Sequence, residues 1–419
     1  MKSANVTIAH DPYRALRFRD FRLLFISTFV ATLGEQMLAI SIGWELYDRT
    51  GSALALGGVG LAQIFPVMLL TLPAGYVADR FNRKRILLFT QLMLAICSLG
   101  LMVLSTLHSS FMLSYVCLFV MGCAMAFVSP ASSALMAQTV PEQIFENAAT
   151  WSSSSWQLAE VVGPALAGFL IAIFHGAALI YGLNAICALI FLSLLLFLRV
   201  KQQEIEVREQ KTWSALGEGV AFLRQAQVLL AAITLDLFAV LLGGAITLLP
   251  IFAKDVLHTG PIGLGWLRVA PSLGAISVAA VLAHRPPFKR AGPTLLIAVA
   301  GFGLATIVFG LSHSLWLSLL ALLLLGGFDT VSVVIRSTLL LTRTPERMRG
   351  RISAINSLFI SASGQLGGFE SGVIAQLFGP IVSVVSGGIG TILVVLLVCL
   401  LWPEIRHLRS LESSSPSDR

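Results

Sequence analysis

Long apolar runs separated by short polar turns account for most of this chain. Each run is long enough to cross a bilayer as a helix, because about 20 apolar residues span its hydrocarbon core. The runs lie at about Phe21–Tyr47, Ala53–Val77, Ile86–Leu107, Phe111–Thr139, Ala148–Phe174, Ala177–Val200, Val228–Phe252, Ile262–Ala283, Pro293–Leu311, Leu315–Leu341, Ile352–Phe378 and Ile381–Trp402. Their apolarity is continuous, whereas the strands of a membrane barrel alternate apolar and polar positions. The pattern therefore predicts an all-α integral membrane protein with about twelve spans.

The composition agrees with a membrane protein. Of the 419 residues, 56% are hydrophobic and only 12% are charged, whereas about a quarter of a soluble protein is charged. The net charge of +7 would also fit nucleic-acid binding. The basic residues, however, lie in short turns between the apolar runs, as the positive-inside rule requires, so no nucleic-acid partner is expected. All five cysteines lie within apolar runs and are interpreted as buried hydrophobic residues.

The basic residues also predict the orientation of the chain. They cluster before the first run and after the second, sixth, eighth, tenth and last runs, whereas the opposite loops contain only Arg49 and Lys254. This bias places both termini and the even-numbered loops in the cytoplasm. The expected location is the inner (plasma) membrane.

One long polar connection divides the chain near its middle. We predict an N-terminal six-helix bundle at 1–200, a cytoplasmic linker at 201–227, a C-terminal six-helix bundle at 228–405 and a disordered tail at 406–419. Apolar residues within the linker recur at helical spacing and predict an amphipathic helix on the membrane surface, with a plain linker as the alternative. These residues are Trp213, Leu216, Val220 and Leu223.

The two halves also share short sequence features in the same order. The matching pairs are Val140–Gln143 with Thr344–Arg347, Thr50-Gly51 with Thr259-Gly260, Gly163 with Gly367, and Gly168 with Gly372. Each match is weak by itself, but their common order predicts two parallel halves related by an axis along the membrane normal.

Seven charged residues interrupt the apolar runs: Glu35, Glu160, Asp236, Arg268, Asp329, Arg336 and Glu370. A charge at bilayer depth costs a few kcal/mol, so it normally faces a cavity or a partner. We expect Asp329 and Arg336 to share a network, because they lie on one helix face about 10 Å apart. Structural ion pairs are the alternative for some of the seven. Arg268 and Glu370 lie nearer the ends of their runs and could simply reach toward water.

Buried acids outnumber buried arginines in this set, which favours a site for protons or cations. Glu35, next to Gln36 near the middle of its run, is the first candidate for a proton carrier or a counter-charge to substrate. Burial favours the protonated form of a carboxyl, as a proton-coupled carrier needs, although a cavity that only attracts cations would give the same pattern. The predicted substrate-contact or proton-coupling residues are Glu35, Gln36, Glu160, Asp236, Asp329 and Arg336.

No signature of a soluble enzyme or an ATP-driven pump is present. The chain has no phosphate-binding glycine loop followed by Lys-Ser/Thr and no Gly-x-Ser-x-Gly elbow. Its seven histidines are scattered through the loops and are not paired at ligand spacing. We therefore expect no enzymatic activity, no cofactor and no metal site.

The basic turn between the second and third runs resembles a motif of major facilitator transporters, G-x-x-x-D-R-x-G-R-R/K. Asn82 replaces the second glycine and tolerates a left-handed turn better than most residues. The resemblance implies a major facilitator fold of two six-helix bundles related by pseudo-two-fold symmetry. It also implies a cytoplasmic latch in which Asp79 and Arg83 hold the halves together near the start of the eleventh span. The residues on the fixed positions of the motif are Gly75, Asp79, Arg80, Arg83 and Lys84.

The fifth run contains Gly163-Pro164-Ala165-Leu166-Ala167-Gly168. This segment resembles the G-P-x-x-G-G motif of drug:proton antiporters, which assigns Gly163, Pro164 and Gly168 to close helix packing. Ordinary small-residue packing is the alternative interpretation. The fourth run, Phe111–Thr139, lacks the arginine that many proton-driven antiporters have there.

Three further segments resemble the enterobactin-exporter-like branch of the superfamily: Thr50–Ala53, Glu146–Ala148 and Arg349–Ala354. This resemblance implies a monomeric secondary transporter in the lipid bilayer that exports a small organic molecule, such as a siderophore or drug, in exchange for protons. The alternatives are an importer of a nutrient or metal ion, a lysophospholipid flippase and a membrane sensor without transport activity.

Overall fold

The computed structural model describes residues 11–199, 222–223, 226–286, 288 and 290–408. The predicted amphipathic helix of the linker and nearly all of the predicted tail lie outside these residues. Within them, twelve long helices follow one another and no strand is present. The helices are α1 (Arg19–Thr50), α2 (Ala53–Arg80), α3 (Arg83–Thr106), α4 (Phe111–Thr139), α5 (Phe145–Phe174), α6 (Ala178–Leu196), α7 (Gln227–Leu242), α8 (Gly260–Ala283), α9 (Ala291–Leu311), α10 (Leu315–Arg343), α11 (Glu346–Phe378) and α12 (Pro380–Leu401).

Eleven of these helical segments in the described chain are long and apolar enough to cross a membrane, with α7 continued to Val256. The remaining one, α11, is 33 residues long and contains more polar residues than its neighbours. Short 3-10 turns at Ala15–Arg17 and Glu142–Ile144 precede α1 and α5, and a short helix, Glu404–His407, follows α12. The predicted all-α membrane architecture is confirmed.

Polar residues in the turns fix where several helices begin. The Asn82 side chain accepts hydrogen bonds from the backbone N–H groups of Lys84 and Arg85, at 3.0 and 3.3 Å, and so caps α3. The Asn82 backbone is extended, with φ of −61° and ψ of 111°, so the tolerance of asparagine for a left-handed turn is not needed at this position. Asn82 is the second residue of the turn between α2 and α3 and also the N-cap of α3. An N-cap residue has extended backbone, and its side-chain oxygen accepts hydrogen bonds from the first turn of the helix.

The repeated Thr-Gly turns have the same backbone conformation in both halves. Gly51 and Gly260 have φ of 61° and 65°, in the left-handed region that glycine adopts at little cost. The repeated proline segments agree as well. Pro141 and Pro345 are both extended, and each accepts a backbone hydrogen bond of 2.9 Å from the third residue after it.

Helix contacts within the first half recur in the second half with the helix number raised by six. The contacts α2–α4, α3–α6 and α1–α6 correspond to α8–α10, α9–α12 and α7–α12. This correspondence confirms the predicted pair of six-helix bundles related by pseudo-two-fold symmetry. The two bundles meet chiefly through α2–α11 and α5–α8, which the same symmetry relates.

The seventh span is irregular, although the sequence predicts one continuous helix. Its helix stops at Leu242 and continues as a 3-10 turn, Gly244–Leu248, a single helical turn and a π-helical turn, Phe252–Val256. The break lies at Gly243-Gly244. A Cβ on Gly244 would lie 2.6 Å from the carbonyl oxygen of Gly367, so the absent side chain lets α11 approach the backbone there.

A buried ion pair joins α7 to α10. Arg336 Nη1 contacts Asp236 Oδ1, and both residues are only 4% exposed. The network expected between Asp329 and Arg336 is not formed, because Arg336 is directed to α7 instead. Arg336 Nε has no hydrogen-bond partner among the described residues, so the pair relies on one principal contact.

We expect the loss of either partner of this pair to destabilise the protein strongly. Asp236→Leu or Arg336→Met leaves one buried charge unpaired, which costs about 3–5 kcal/mol, whereas replacement of both residues by apolar ones is often nearly neutral. Melting temperature and yield of purified protein should fall in each single variant and recover in the double variant. A double variant as unstable as the singles would contradict a role as an isolated structural pair.

Candidate functional site

Three adjoining cavities lie between the helices near the middle of the protein. The first cavity, of about 310 Å³, lies mainly among helices of the first half. The second, of about 710 Å³, lies between α5 and the second half. The third, of about 180 Å³, lies between α1, α2 and the irregular part of the seventh span. Gln365 of α11 lines all three, so they form one central space at the boundary between the halves.

Three predicted acids line this space, each at the middle of its helix. Glu35 of α1 and its neighbour Gln36 line the first cavity. Glu160 of α5 and Asp329 of α10 line the second. The central space therefore contains carboxyl groups from three helices and both halves, at equivalent depth.

A cation completes this set of charges. Arg268 of α8 lines the second and third cavities, so the expectation that it merely reaches toward water is wrong. The helix begins at Gly260, which puts Arg268 about two turns, or 12 Å, from the helix end. Glu370, the other residue expected to reach toward water, is half-buried and lines none of the three cavities.

Glu160 and Arg268 are close enough to interact electrostatically across the halves, but the charged groups of the central space make no direct contact with a partner among the described residues. Among the residues that the structure describes, none of the side chains of Glu35, Glu160, Arg268 and Asp329 forms a hydrogen bond or an ion pair within 4.0 Å. Asp236 and Arg336, also predicted as site residues, pair with each other and line none of the three cavities. Any role for that pair in substrate contact stays a prediction.

Carboxamides form much of the polar lining, and sequence reasoning missed most of them. Gln63, Gln91, Asn184 and Gln365 line the first cavity together with Gln36. The sequence does contain a signal, since each of them is a polar residue inside an apolar run, as the charged residues are. The irregular segment that follows α7 was not predicted either. Its residues Gly243, Gly244 and Thr247 line the second cavity.

The halves are in contact at one end of the helices. We call this end the odd-loop face, because the loops after α1, α3, α5, α7, α9 and α11 lie there, and we call the opposite end the even-loop face. The second cavity follows α8 from Arg268 to Ala279, which is the direction of the even-loop face. The structure is therefore closed at the odd-loop face, and the space between the halves extends toward the other.

Two symmetry-related glycine contacts close the odd-loop face. In α5–α8, a Cβ on Gly168 would lie 2.5 Å from the Pro261 carbonyl oxygen and 3.0 Å from Gly265 Cα. In α2–α11, a Cβ on Gly372 would lie 2.8 Å from the Ala53 carbonyl oxygen and 3.0 Å from Gly57 Cα. Both contacts join backbone to backbone, so only glycine permits this approach.

Gly163 and Pro164 of the same motif lie beside these contacts. A Cβ on Gly163 would lie 2.6 Å from Gln36 Cβ, so Gly163 packs α5 against α1. A Cβ on Gly265 of α8 would lie 2.9 Å from the carbonyl oxygen of Pro164. The motif thus touches both the other half and the helix that bears Glu35.

Polar and charged side chains also join the two halves at the odd-loop face. Lys254 Nζ donates to Asp48 Oδ1 at 2.5 Å, and the Tyr47 hydroxyl donates to the Asp255 carboxylate. Lys254 also lies 5.9 Å from the centre of the Tyr47 ring. The π-helical turn Phe252–Val256 directs two adjacent residues, Lys254 and Asp255, toward the last turn of α1, and such turns recur at functional sites.

The segment of the predicted cytoplasmic latch lies at the even-loop face, toward which the second cavity extends. Lys84 Nζ donates to the carbonyl oxygens of Leu196 and Leu198, at 2.9 Å each, and so caps α6 within its own half. Arg80 lies over the Tyr76 ring at 4.5 Å. The Asp79 side chain lies outside what the structure describes. A latch to α11 in another state of the protein stays a prediction.

Comparison with known families identifies the class of the protein. A family model described as "transmembrane secretion effector", of the major facilitator type, matches residues 10–418. The chain belongs to this family. Curated relatives include the enterobactin exporter EntS of Citrobacter koseri, 28% identical over 404 residues, and that of Shigella dysenteriae, 27% identical over 397 residues. Each alignment covers 93% of both proteins.

Solved transporters share the fold of this secretion-effector family member. A POT family transporter in complex with 5-aminolevulinic acid has a TM-score of 0.72 at 14% identity, over 92% of this chain and 96% of the other. A bacterial homologue of the human lysosomal transporter Spinster has a TM-score of 0.67 at 14% identity, over 97% and 100% of the two chains. The predicted major facilitator fold is confirmed, and the chain is a multi-pass membrane protein of a transporter family. No cluster of histidine, cysteine or acidic residues fit for a metal occurs in the described part of the chain.

We expect a methyl group at either glycine contact to weaken closure of the odd-loop face. In Gly168→Ala and Gly372→Ala, the helices must separate by about 1 Å to restore ordinary carbon contact distances. Spin labels at positions 108 and 313, introduced after replacement of the native cysteines, should then report a longer mean distance than in the parent. Gly100→Ala is the matched control, because its Cβ would meet only Cys117 Sγ at 3.4 Å. Equal distances in all three variants would contradict closure through these glycines.

A charge exchange tests the ion pair across the same face. Asp48→Lys or Lys254→Asp puts like charges together and should lower the closed population, and the double exchange should restore it. The effect should be at most about 1 kcal/mol, because both side chains are partly exposed and salt screens such pairs. The same spin-label distance measures it at low and at high salt. A double variant no better than the singles would rule out direct pairing as the cause.

Proposed function

We propose that this protein is a proton-coupled exporter of a small organic molecule in the inner membrane, with both termini in the cytoplasm. The observation that carries the proposal is the central space, lined at mid-membrane depth by Glu35, Glu160 and Asp329, none of which forms a hydrogen bond or ion pair with a described residue. Charged groups at that depth normally serve a substrate or a proton path. The names of the relatives, enterobactin exporters, support export and suggest a siderophore as one substrate.

Alternating access supplies the mechanism. The substrate enters the central space from the even-loop face, which is the cytoplasmic side in this proposal. The halves then rock about the site, the even-loop face closes, and the glycine and charge contacts of the odd-loop face separate. The basic turn at Gly75–Arg85 would hold the halves together in that second state.

Proton coupling requires a carboxyl group that binds a proton and substrate in alternation. Glu35 suits this role, because its cavity adjoins the substrate space through Gln365 and contains no cation among its lining residues. When the space faces the cytoplasm, substrate binding accompanies release of the proton there. When it faces the opposite side, protonation of Glu35 accompanies substrate release. The antiporter arginine absent from the fourth span is therefore not needed for this scheme.

Proteoliposomes test the proposal, with enterobactin as the first probe and ethidium as the second. In vesicles with the even-loop face outside, wild-type protein should accumulate a probe when the lumen is acidic. Glu35→Gln should keep transport down a substrate gradient but lose most of the dependence on the pH gradient, because the amide cannot exchange a proton.

Glu370→Gln is the matched control, since Glu370 lines none of the three cavities, and it should behave like wild type. If Glu35→Gln keeps the full dependence on the pH gradient, Glu35 is not the proton carrier. If wild-type protein accumulates neither probe under any gradient, the exporter proposal is contradicted.

A further inference from the structure

We propose that the first cavity is a subsite for an uncharged part of the substrate that has several hydrogen-bonding functions and one apolar face. This inference rests on the proposed function and names the chemistry that the site selects. It concerns the cavity around Glu35, whereas the ionic part of the substrate would lie in the second cavity.

Unpaired carboxamides are the first evidence. Gln36, Gln63, Gln91 and Gln365 form no side-chain hydrogen bond with any residue in the described part of the chain. Gln91 is only 2% exposed, yet it lines the cavity and its polar atoms are not sealed off from it. A buried amide without partners is unfavourable, so a ligand or water must satisfy it.

Asn184 places a carboxamide of fixed orientation at the same cavity. Its Nδ2 donates to Ser98 Oγ at 2.8 Å, and that hydroxyl donates to the Leu94 carbonyl oxygen at 2.8 Å. These bonds fix the carboxamide, and its Oδ1 lies against Gly34, beside Glu35. A side chain at position 34 would displace this oxygen, so glycine there lets the Asn184 carboxamide keep its position.

The charge of the lining excludes an anionic ligand group. Among the described residues that line the first cavity, Glu35 is the one titratable group, and there is no lysine, arginine or histidine. Arg268 lines the other two cavities. An anion in the first cavity would meet a carboxyl group and no counter-charge, whereas one in the second cavity would meet Arg268.

The remaining wall is apolar and adaptable. Leu94, Met121, Met125 and Trp156 line the first cavity. Methionine sulfur and the indole ring suit flat aromatic or apolar faces. Because Trp156 also lines the second cavity, one substrate can extend from the first cavity into the second.

The size of the cavity and its amide groups argue against a bare inorganic cation. A volume of about 310 Å³ lies at the lower end of the range for organic ligands. A cation would use only the oxygen atoms of the carboxamides and leave their N–H donors unpaired. Hydroxyl or amide groups of an organic ligand satisfy donors and acceptors together.

A matched series of probes tests the subsite on the purified full-length protein. Para-hydroxybenzamide is neutral, para-hydroxybenzoate is anionic and para-hydroxybenzylamine is cationic, and sodium chloride serves as the inorganic cation. We expect calorimetry to detect the neutral probe with at least tenfold higher affinity than either charged probe. Gln91→Met should lower the affinity for the neutral probe about tenfold, because hydrogen bonds to the glutamine are lost. Gln143→Met is the control, because Gln143 is exposed in the turn Glu142–Ile144 and lines none of the three cavities, and it should bind that probe as wild type does.

The outcomes separate this inference from the proposed function. Unchanged affinity in Gln91→Met, or a charged probe that binds best, would overturn the subsite even if proteoliposomes accumulate substrate. Stabilisation by sodium alone, lost in Glu35→Gln, would replace it with a cation site. Binding of the neutral probe with the expected Gln91 dependence would support the subsite, and a failure of transport would then count only against the exporter proposal.

Discussion

Backbone contact between glycines at two helix crossings is the constraint on which the rest of the structure depends. In lipid no hydrophobic force draws apolar helices together, so close packing of small residues has to join them. Gly168 with Gly265, and Gly372 with Gly57, bring α5 to α8 and α2 to α11 at the odd-loop face. The halves touch there, and the second cavity between them extends toward the even-loop face. The central space, its depth and its direction of opening all follow from the position of these two crossings.

Polar groups inside the protein fall into two classes, and the difference between them separates structure from function. Asp236 and Arg336 are buried and pair with each other, and the partly exposed Lys254 and Asp48 pair across the odd-loop face. The carboxyl groups and the glutamines of the central space form no hydrogen bond or ion pair with a described residue. Unpaired polar groups at bilayer depth are unfavourable unless substrate, a proton or water can bind to them. The unpaired set, and not the number of buried charges, therefore marks the site.

The irregular seventh span contributes both to the central space and to the closed odd-loop face. Its break at Gly243-Gly244 lets α11 approach closely, and the backbone that follows lines the second and third cavities. Non-helical backbone is tolerated at membrane depth only where protein or a cavity satisfies it. The π-helical turn at the end of the same segment directs Lys254 and Asp255 toward α1. One irregular stretch thus contributes to the site and to the closed face, and it is well placed to link them.

The sequence by itself determined the number of spans, the two-fold repeat and the depth of Glu35, Glu160 and Asp329. Each follows from local physics, because a membrane helix satisfies its own backbone within one segment and its length is set by the bilayer. Only the tertiary structure decided the partner of Arg336 and the central position of Arg268. It also placed four glutamines and Asn184 around the cavity that contains Glu35. Those contacts depend on how each helix is rotated and where it crosses its neighbours. Rotation and crossing are set by glycine contacts between distant segments, which no local pattern along one run encodes.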